Sequence, residues 1–232
     1  MGRKRVIGVL GGMGPEATIL LQQRLLAAVQ AQDDADHIPL LIDMNPQVPS
    51  RIAHLIEGTG DSPAPVLIDM AQRLERAGVA ALAMPCNTAH AYLDDIQSQV
   101  SVPFLNMIAL TADAARRAAQ PGARVGILAS PATRPTRLFD KALEAVGLRP
   151  AWPEDDRSLL AAIRTIKAQG VTAQTRAVLN RASRDLLDQG AGLQIIGCSE
   201  FSLMPDALAA GAQPLDAMDC LAEAIAAFSR SD

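Results

Sequence analysis

Apolar and polar positions along the chain fall into two alternating regimes. Short runs of apolar, partly β-branched residues at 6–10, 40–44, 79–84 and 104–108 are separated by longer Ala-rich stretches with apolar residues at helical spacing. Strand-sized apolar runs joined through helices predict a parallel sheet covered on both faces. Pro15 stands at the first turn of a helix through the twenties, a second helix covers 64–77 and stops at Gly78, and a third starts at Ala109. The order then recurs. A strand at 124–129 leads to a helix at 133–146 stopped by Gly147, a weak strand near 148–152, and helices near 156–168 and 173–189. A strand at 193–197, a last apolar stretch at Pro214-Leu215 and an amphipathic helix finish the chain.

The two halves are rough copies. Segments 78–88 and 190–200 align without a gap at an offset of 112, each running from glycine through an apolar run to a cysteine and two further residues. The expected fold is α/β: two similar doubly wound parallel-sheet domains related by pseudo-symmetry. The first is placed at 1–102 plus 214–232, the terminal helix returning to it, and the second at 103–213. Ligands of such sheets bind at the carboxyl ends of strands, where Cys86 and Cys198 both fall. Two thiols at symmetry-related strand ends can serve one cleft, and acid–base groups on opposite sides of one carbon are what stereochemical inversion needs.

With 232 residues the chain holds one large domain or two of about 110 residues. Hydrophobic residues at 49% and a formal net charge of −4 describe a globular protein without the basic surface that nucleic acid requires. No apolar run approaches the ~20 residues of a membrane span. The basic start Met1-Gly2-Arg3-Lys4-Arg5 resembles a leader, but Gly11 and Gly12 break the apolar stretch behind it, so it is read as the approach to the first strand. Three cysteines without disulfide-like spacing predict reduced thiols and a cytoplasmic setting. Only Lys4, Lys141 and Lys167 could form a pyridoxal Schiff base, and Lys167 alone is suitably placed.

Several groups could carry chemistry. Cys86 opens Cys86-Asn87-Thr88-Ala89-His90 and Cys198 lies in Gly197-Cys198-Ser199-Glu200; a helix N-terminus behind either would lower the thiol pKa. The alternative for a single cysteine at a strand end is a small buried hydrophobe, which is the reading for Cys220 on the last helix. Gly12, Gly14 and Ala17 fit the dinucleotide pattern, with Asp43 as acidic partner, so an NAD(P)-binding oxidoreductase is a rival; a tight turn needing glycine is the plain reading. The stiff loop Asn45-Pro46-Gln47-Val48-Pro49-Ser50-Arg51 delivers an arginine suited to a carboxylate. Lys167 holds the roughly corresponding place in the second half, or complements a helix C-terminus. His90 is expected to hydrogen-bond behind Cys86 or to pack, and the scattered Cys and His residues make a poor zinc pattern.

Gly11-Gly12-Met13-Gly14-Pro15, the loop to Arg51, Met84-Pro85-Cys86-Asn87-Thr88-Ala89-His90, Ile166-Lys167 and Gly197-Cys198-Ser199-Glu200 come in the order found in the aspartate/glutamate racemase family. Over nearly its whole length the chain resembles the aspartate-racemase branch. The resemblance implies two α/β domains facing each other across an active-site cleft, a homodimer, an amino-acid substrate and no cofactor, and the scattered Cys and His residues predict no metal. It makes Cys86 and Cys198 the catalytic thiols, and Asn87, Thr88 and Ser199 the holders of the α-carboxylate and ammonium. Arg51 and Lys167 would take a side-chain carboxylate, and Met13, Thr133 and Glu200 complete the substrate-binding set. Ser199 replaces a commoner threonine. The loop from Leu128 to Thr136 departs from the usual Ala-Thr-x-Gly-Thr, which bears on side-chain specificity. A third reading is an amino-acid-binding module without catalysis.

Overall fold

The computed structural model describes residues 4–231. Each of two sheets holds four parallel strands. In the first, β1 (Ile7–Gly11), β2 (Leu40–Met44), β3 (Ala81–Ala83) and β4 (Phe104–Leu105) lie in the order β2-β1-β3-β4. In the second, β5 (Arg124–Ala129), β6 (Arg149–Ala151), β7 (Leu193–Gly197) and β8 (Gln213–Asp216) lie in the order β6-β5-β7-β8. The orders match element for element, as expected of a duplicated plan. The direction of winding reverses between β1 and β3 and again between β5 and β7, and each cysteine lies just beyond a strand at that reversal.

The helices are α1 (Pro15–Ala27), α2 (Ala64–Arg76), α3 (Leu93–Gln97), α4 (Met107–Ala118), α5 (Leu138–Ala145), α6 (Asp156–Gln169), α7 (Ala173–Asp188) and α8 (Ala217–Arg230). By its contacts the chain divides into one unit running to Met107 and resuming at Met218, and a second covering Ile108–Ala217. The breaks fall later than the 102/103 and 213/214 read from the sequence. The reason is strand pairing: β4 is bonded to β3 and β8 to β7, so each short strand stays with its own sheet.

Period-two alternation splits the core of the second unit between two sheet faces. Leu128 and Ile196 join Leu159, Ile163, Leu179 and Leu186 of α6 and α7, whereas Ile127 and Ile195 join Phe139 and Leu143 of α5 and Ile108 of α4. Phe139 has no exposed surface. Its ring lies where a Cβ on Gly197 would come within 2.8 Å, so only glycine before Cys198 lets the aromatic ring pack under that strand end. In the first unit, strand β1 is buried throughout, and Leu67, Met70 and Leu74 of α2 pack with Leu82 and Met84.

Two element boundaries differ from the sequence reading. The run at 104–108 is strand only to Leu105, and the helix begins at Met107 rather than Ala109, because the Met107 N–H is drawn out of the sheet to His90 Nε2, 3.1 Å away. The helix expected from Thr133 starts only at Leu138. Thr133 and Thr136 spend their hydroxyls on the carbonyls of Ser130 (2.7 Å) and Thr133 (2.6 Å), competing with helical pairing, and Arg137 takes a left-handed φ of 53°.

Candidate active site

Cys86 leaves β3 through a tight turn in which its N–H bonds the Met84 carbonyl (2.9 Å) and its own carbonyl accepts from Ala89 N–H (3.2 Å). That carbonyl also lies 2.9 Å from His90 Nδ1. His90 Nε2 must accept from the Met107 N–H, so the proton of the neutral ring sits on Nδ1 and is donated to Cys86. Burial disfavours the imidazolium and lowers the His90 pKa from 6.5 to about 4, the bond to the Cys86 carbonyl only partly opposing it. His90 is therefore a neutral brace behind the cysteine.

The sign of the pH effect follows. Below about pH 6.5 the unfolded chain takes up a proton that the folded chain refuses until about pH 4. Stability from this residue is thus complete above pH 6.5 and is lost as the pH falls towards 4, by about 3 kcal/mol. Chemical denaturation of the wild type and of His90→Gln between pH 7 and pH 4 should show a shallower decline in the variant; parallel declines would contradict this assignment.

The remaining groups of the first unit are disposed around that turn. Asn87 is buried and its Oδ1 has no hydrogen-bond partner among the described residues, while Thr88 is half-buried and starts the 3-10 segment Thr88–Tyr92. Arg51 uses one guanidinium nitrogen to brace its own loop, donating from Nη1 to the carbonyls of Val48 (3.2 Å) and Pro49 (2.8 Å). Tyr92, the chain's only tyrosine, is buried against the His54 ring at 6.0 Å, its hydroxyl unpaired among the described residues. Burial raises its pKa, while the nearby charge of Arg51 pulls it down and that of Cys86 adds to the rise. The sequence reading passed Tyr92 over, although it lies on the cysteine turn two residues beyond His90. Met13 packs into the core with Leu10 and Val48, so its side chain serves the fold.

Cys198 directly follows β7, and its carbonyl accepts from Phe201 N–H (2.9 Å) and Ser202 N–H (3.1 Å). Its surroundings are different in charge. The thiol donates to Glu200 Oε2 at 2.8 Å, Ser199 Oγ donates to the same oxygen at 3.2 Å, and Lys167 Nζ holds Glu200 Oε1 at 2.6 Å. Burial first, then the charge and hydrogen bond of Glu200, push the Cys198 pKa well above an ordinary thiol, with Lys167 opposing. Glu200 itself is lowered: burial acts upwards, but Lys167 and the thiol outweigh it.

The expectation of a lowered pKa is thereby reversed for Cys198. Each cysteine is followed by a short 3-10 segment, Thr88–Tyr92 or Phe201–Leu203, with too few aligned peptides to build a helix dipole. Lys167 stands in the last turn of α6 and is engaged with Glu200. Thr133 is fully buried with its hydroxyl turned to the Ser130 carbonyl, so it presents no hydroxyl for a ligand in this arrangement. Ser202, four residues after Cys198, places Oγ 2.8 Å from Asp216 Oδ1 and 3.4 Å from the Cys198 carbonyl. Ser202 escaped the sequence reading, yet carrying the repeat four residues past each cysteine aligns it with His90.

The glycine loop has a structural explanation. Gly12 adopts φ +90° and a Cβ there would fall 2.4 Å from the Asn45 carbonyl carbon, so no other residue fits. Its N–H is taken by Thr18 Oγ1 at 3.0 Å, and Asp43 is paired with Arg73 at 2.7 Å. The two groups a dinucleotide would need are already engaged.

A family model described as Asp/Glu/hydantoin racemase matches residues 10–225. The chain belongs to that family. It is accordingly an isomerase, a racemase. It is 27% identical over 226 residues to the broad-specificity amino-acid racemase RacX of Bacillus subtilis, spanning 94% of this chain and 95% of that one. The structure superposes on Picrophilus torridus aspartate racemase with a TM-score of 0.83 at 25% identity, covering 95% of this chain and 92% of the other. A glutamate racemase from Francisella tularensis, solved with D-glutamate, gives 0.71 at 18% identity over 98% of this racemase and 81% of its own chain, and shows the shared fold. Among the described residues no helix is long and apolar enough to cross a membrane.

Proposed function

We propose that this racemase inverts Cα of aspartate, and of a wider set of amino acids, with Cys86 and Cys198 as the two acid–base groups. The observation that carries the reading is the matched placement of the cysteines at the reversal points of two like sheets, one of them buried with its thiol hydrogen-bonded to Glu200. In the resting enzyme Cys198 is then held in its thiol form, the form that gives up a proton. One sulfur removes the α-proton, the other delivers a proton to the opposite face, and the roles exchange in the reverse direction.

The α-carbon is a weak acid, so the enolate that develops must be stabilised as it forms. Asn87 Oδ1, buried and unpaired, suits the substrate ammonium, and the Thr88 and Ser199 hydroxyls suit the α-carboxylate. Arg51 has donors left over after bracing its loop and takes the side-chain carboxylate. Lys167 already carries Glu200, so an acidic side chain gains less from it; this favours tolerance of other side chains, in line with the similarity to RacX.

The test is incubation of the purified protein with L-aspartate, L-glutamate and neutral L-amino acids in heavy water without added cofactor, read by chiral chromatography and by deuterium at Cα. Racemate with full α-deuteration of the inverted product is expected, fastest for aspartate. Tight aspartate binding with neither inversion nor exchange would instead identify a binding module.

A further inference from the structure

The two cysteine turns are braced by different chemistry at the same place. His90 and Ser202 each stand four residues after their cysteine and share the offset of 112 that relates the halves. Both are almost fully buried, at 3% exposure each. Each reaches in two directions. Backwards, His90 Nδ1 donates to the Cys86 carbonyl at 2.9 Å, and Ser202 Oγ lies 3.4 Å from the Cys198 carbonyl, which its own N–H bonds at 3.1 Å. Forwards, His90 Nε2 accepts the first N–H of α4 at 3.1 Å, and Ser202 donates to Asp216, the residue before α8, at 2.8 Å. In both halves one buried side chain therefore ties the cysteine backbone to the start of the helix that follows the neighbouring edge strand.

We propose that His90 and Ser202 are the paired positioning residues of this racemase, each fixing the approach of one sulfur and only that one. The inference rests on the two-thiol reading for its catalytic consequence, but not for its structural content. Each 3-10 turn is too short to hold its own geometry by helical pairing, so the sulfur at its head is placed by the tether at its tail. A reacting atom misplaced by about 1 Å costs about 100-fold in rate, and a turn freed at its tail has that much latitude. Their bonds run to backbone groups and to Asp216. Their loss lowers kcat and leaves KM near its starting value.

The independence of the two tethers gives the test. His90→Phe keeps an aromatic ring of similar shape and loses both hydrogen bonds; Ser202→Ala loses the hydroxyl. His90→Gln restores one donor and one acceptor on a neutral side chain, and Asp216→Asn keeps the acceptor for Ser202. For each variant, iodoacetamide labelling of the individual cysteines is followed by peptide mass spectrometry at several pH values, beside racemisation of both enantiomers and α-deuterium exchange without inversion. His90→Phe should change labelling of Cys86 severalfold and leave Cys198 as it was, with Ser202→Ala doing the reverse. Each should cost about 10- to 100-fold in kcat, and exchange without inversion should persist for one enantiomer in His90→Phe and for the opposite enantiomer in Ser202→Ala. His90→Gln should recover most of the loss, and Asp216→Asn should retain most of the activity. Equal effects of one variant on both cysteines, or no recovery in His90→Gln, would overturn the proposal even if the wild type racemises. A wild type that labels as described but inverts nothing would instead remove the two-thiol reading and leave the tethers standing. Should His90→Phe not fold, the labelling of Ser202→Ala and His90→Gln decides the matter.

Discussion

Cys86→Ala and Cys198→Ala are each expected to lose at least about 1,000-fold in racemisation, the upper part of the range that a positioned acid–base group contributes. The argument is stereochemical. Inversion needs a proton taken from one face of a planar intermediate and given to the other, and a single base cannot stand on both. The two singles should nevertheless differ from a generally crippled enzyme. Each retains one sulfur, so each should still exchange the α-hydrogen of the enantiomer that this sulfur can reach, and the two variants should favour opposite enantiomers. Cys220→Ala is the internal control, since that thiol lies buried on α8. Polarimetry for inversion and nuclear magnetic resonance for α-deuteration settle the point. If either catalytic single racemises within about tenfold of the wild type, a two-thiol relay is not the mechanism.

Glu200→Gln is the second large effect, and it acts on charge with little change of shape. In the wild type the Cys198 thiol is held protonated by burial and by the Glu200 carboxylate at 2.8 Å. A neutral amide removes the charge, though not the burial, so the thiol pKa should fall part of the way back. Each unit recovered raises the thiolate fraction tenfold. Alkylation of Cys198 near pH 8 should accelerate by about tenfold or more, while Cys86, in the other unit, should label at its former rate. Lys167→Met makes the opposite case. It leaves the Glu200 charge without its cation, so Cys198 should alkylate more slowly than in the wild type. Lys167 is 39% exposed but Glu200 only 11%, so removing the cation strands a buried carboxylate and should cost more than the ~1 kcal/mol of a surface pair. Unchanged Cys198 labelling in Glu200→Gln would show that the carboxylate does not control the thiol.

Together these results would make the two halves chemically unlike despite their common plan. At the offset that pairs Cys86 with Cys198, Thr88 pairs with Glu200 and His90 with Ser202. One sulfur has a carboxylate beside it and a hydroxyl brace behind its turn; the other has an imidazole brace, and a threonine holds the sequence position of that carboxylate. A two-thiol relay would not need both sulfurs in the same resting state, and the Glu200 carboxylate favours the protonated form of Cys198.

The sequence by itself determined the alternation that builds two parallel sheets, the repeat that relates them, and the positions of both cysteines at strand ends. These are local or periodic signals: runs of apolar residues, Pro15 opening α1, Gly78 and Gly147 after helices. The family followed from motifs in a fixed order, and the match over residues 10–225 bears that out. Tertiary structure alone decided what surrounds the sulfurs. Glu200 meets Lys167 of α6, more than thirty positions away in sequence, His90 finds the N–H of Met107, and Ser202 finds Asp216. None of these partners is set by spacing along the chain, because a side chain's charge state depends on burial and on which groups the fold brings within about 3 Å of it. Cys198 therefore reads in one dimension as a strand-end thiol with an expected low pKa, and in three as a buried thiol hydrogen-bonded to a carboxylate.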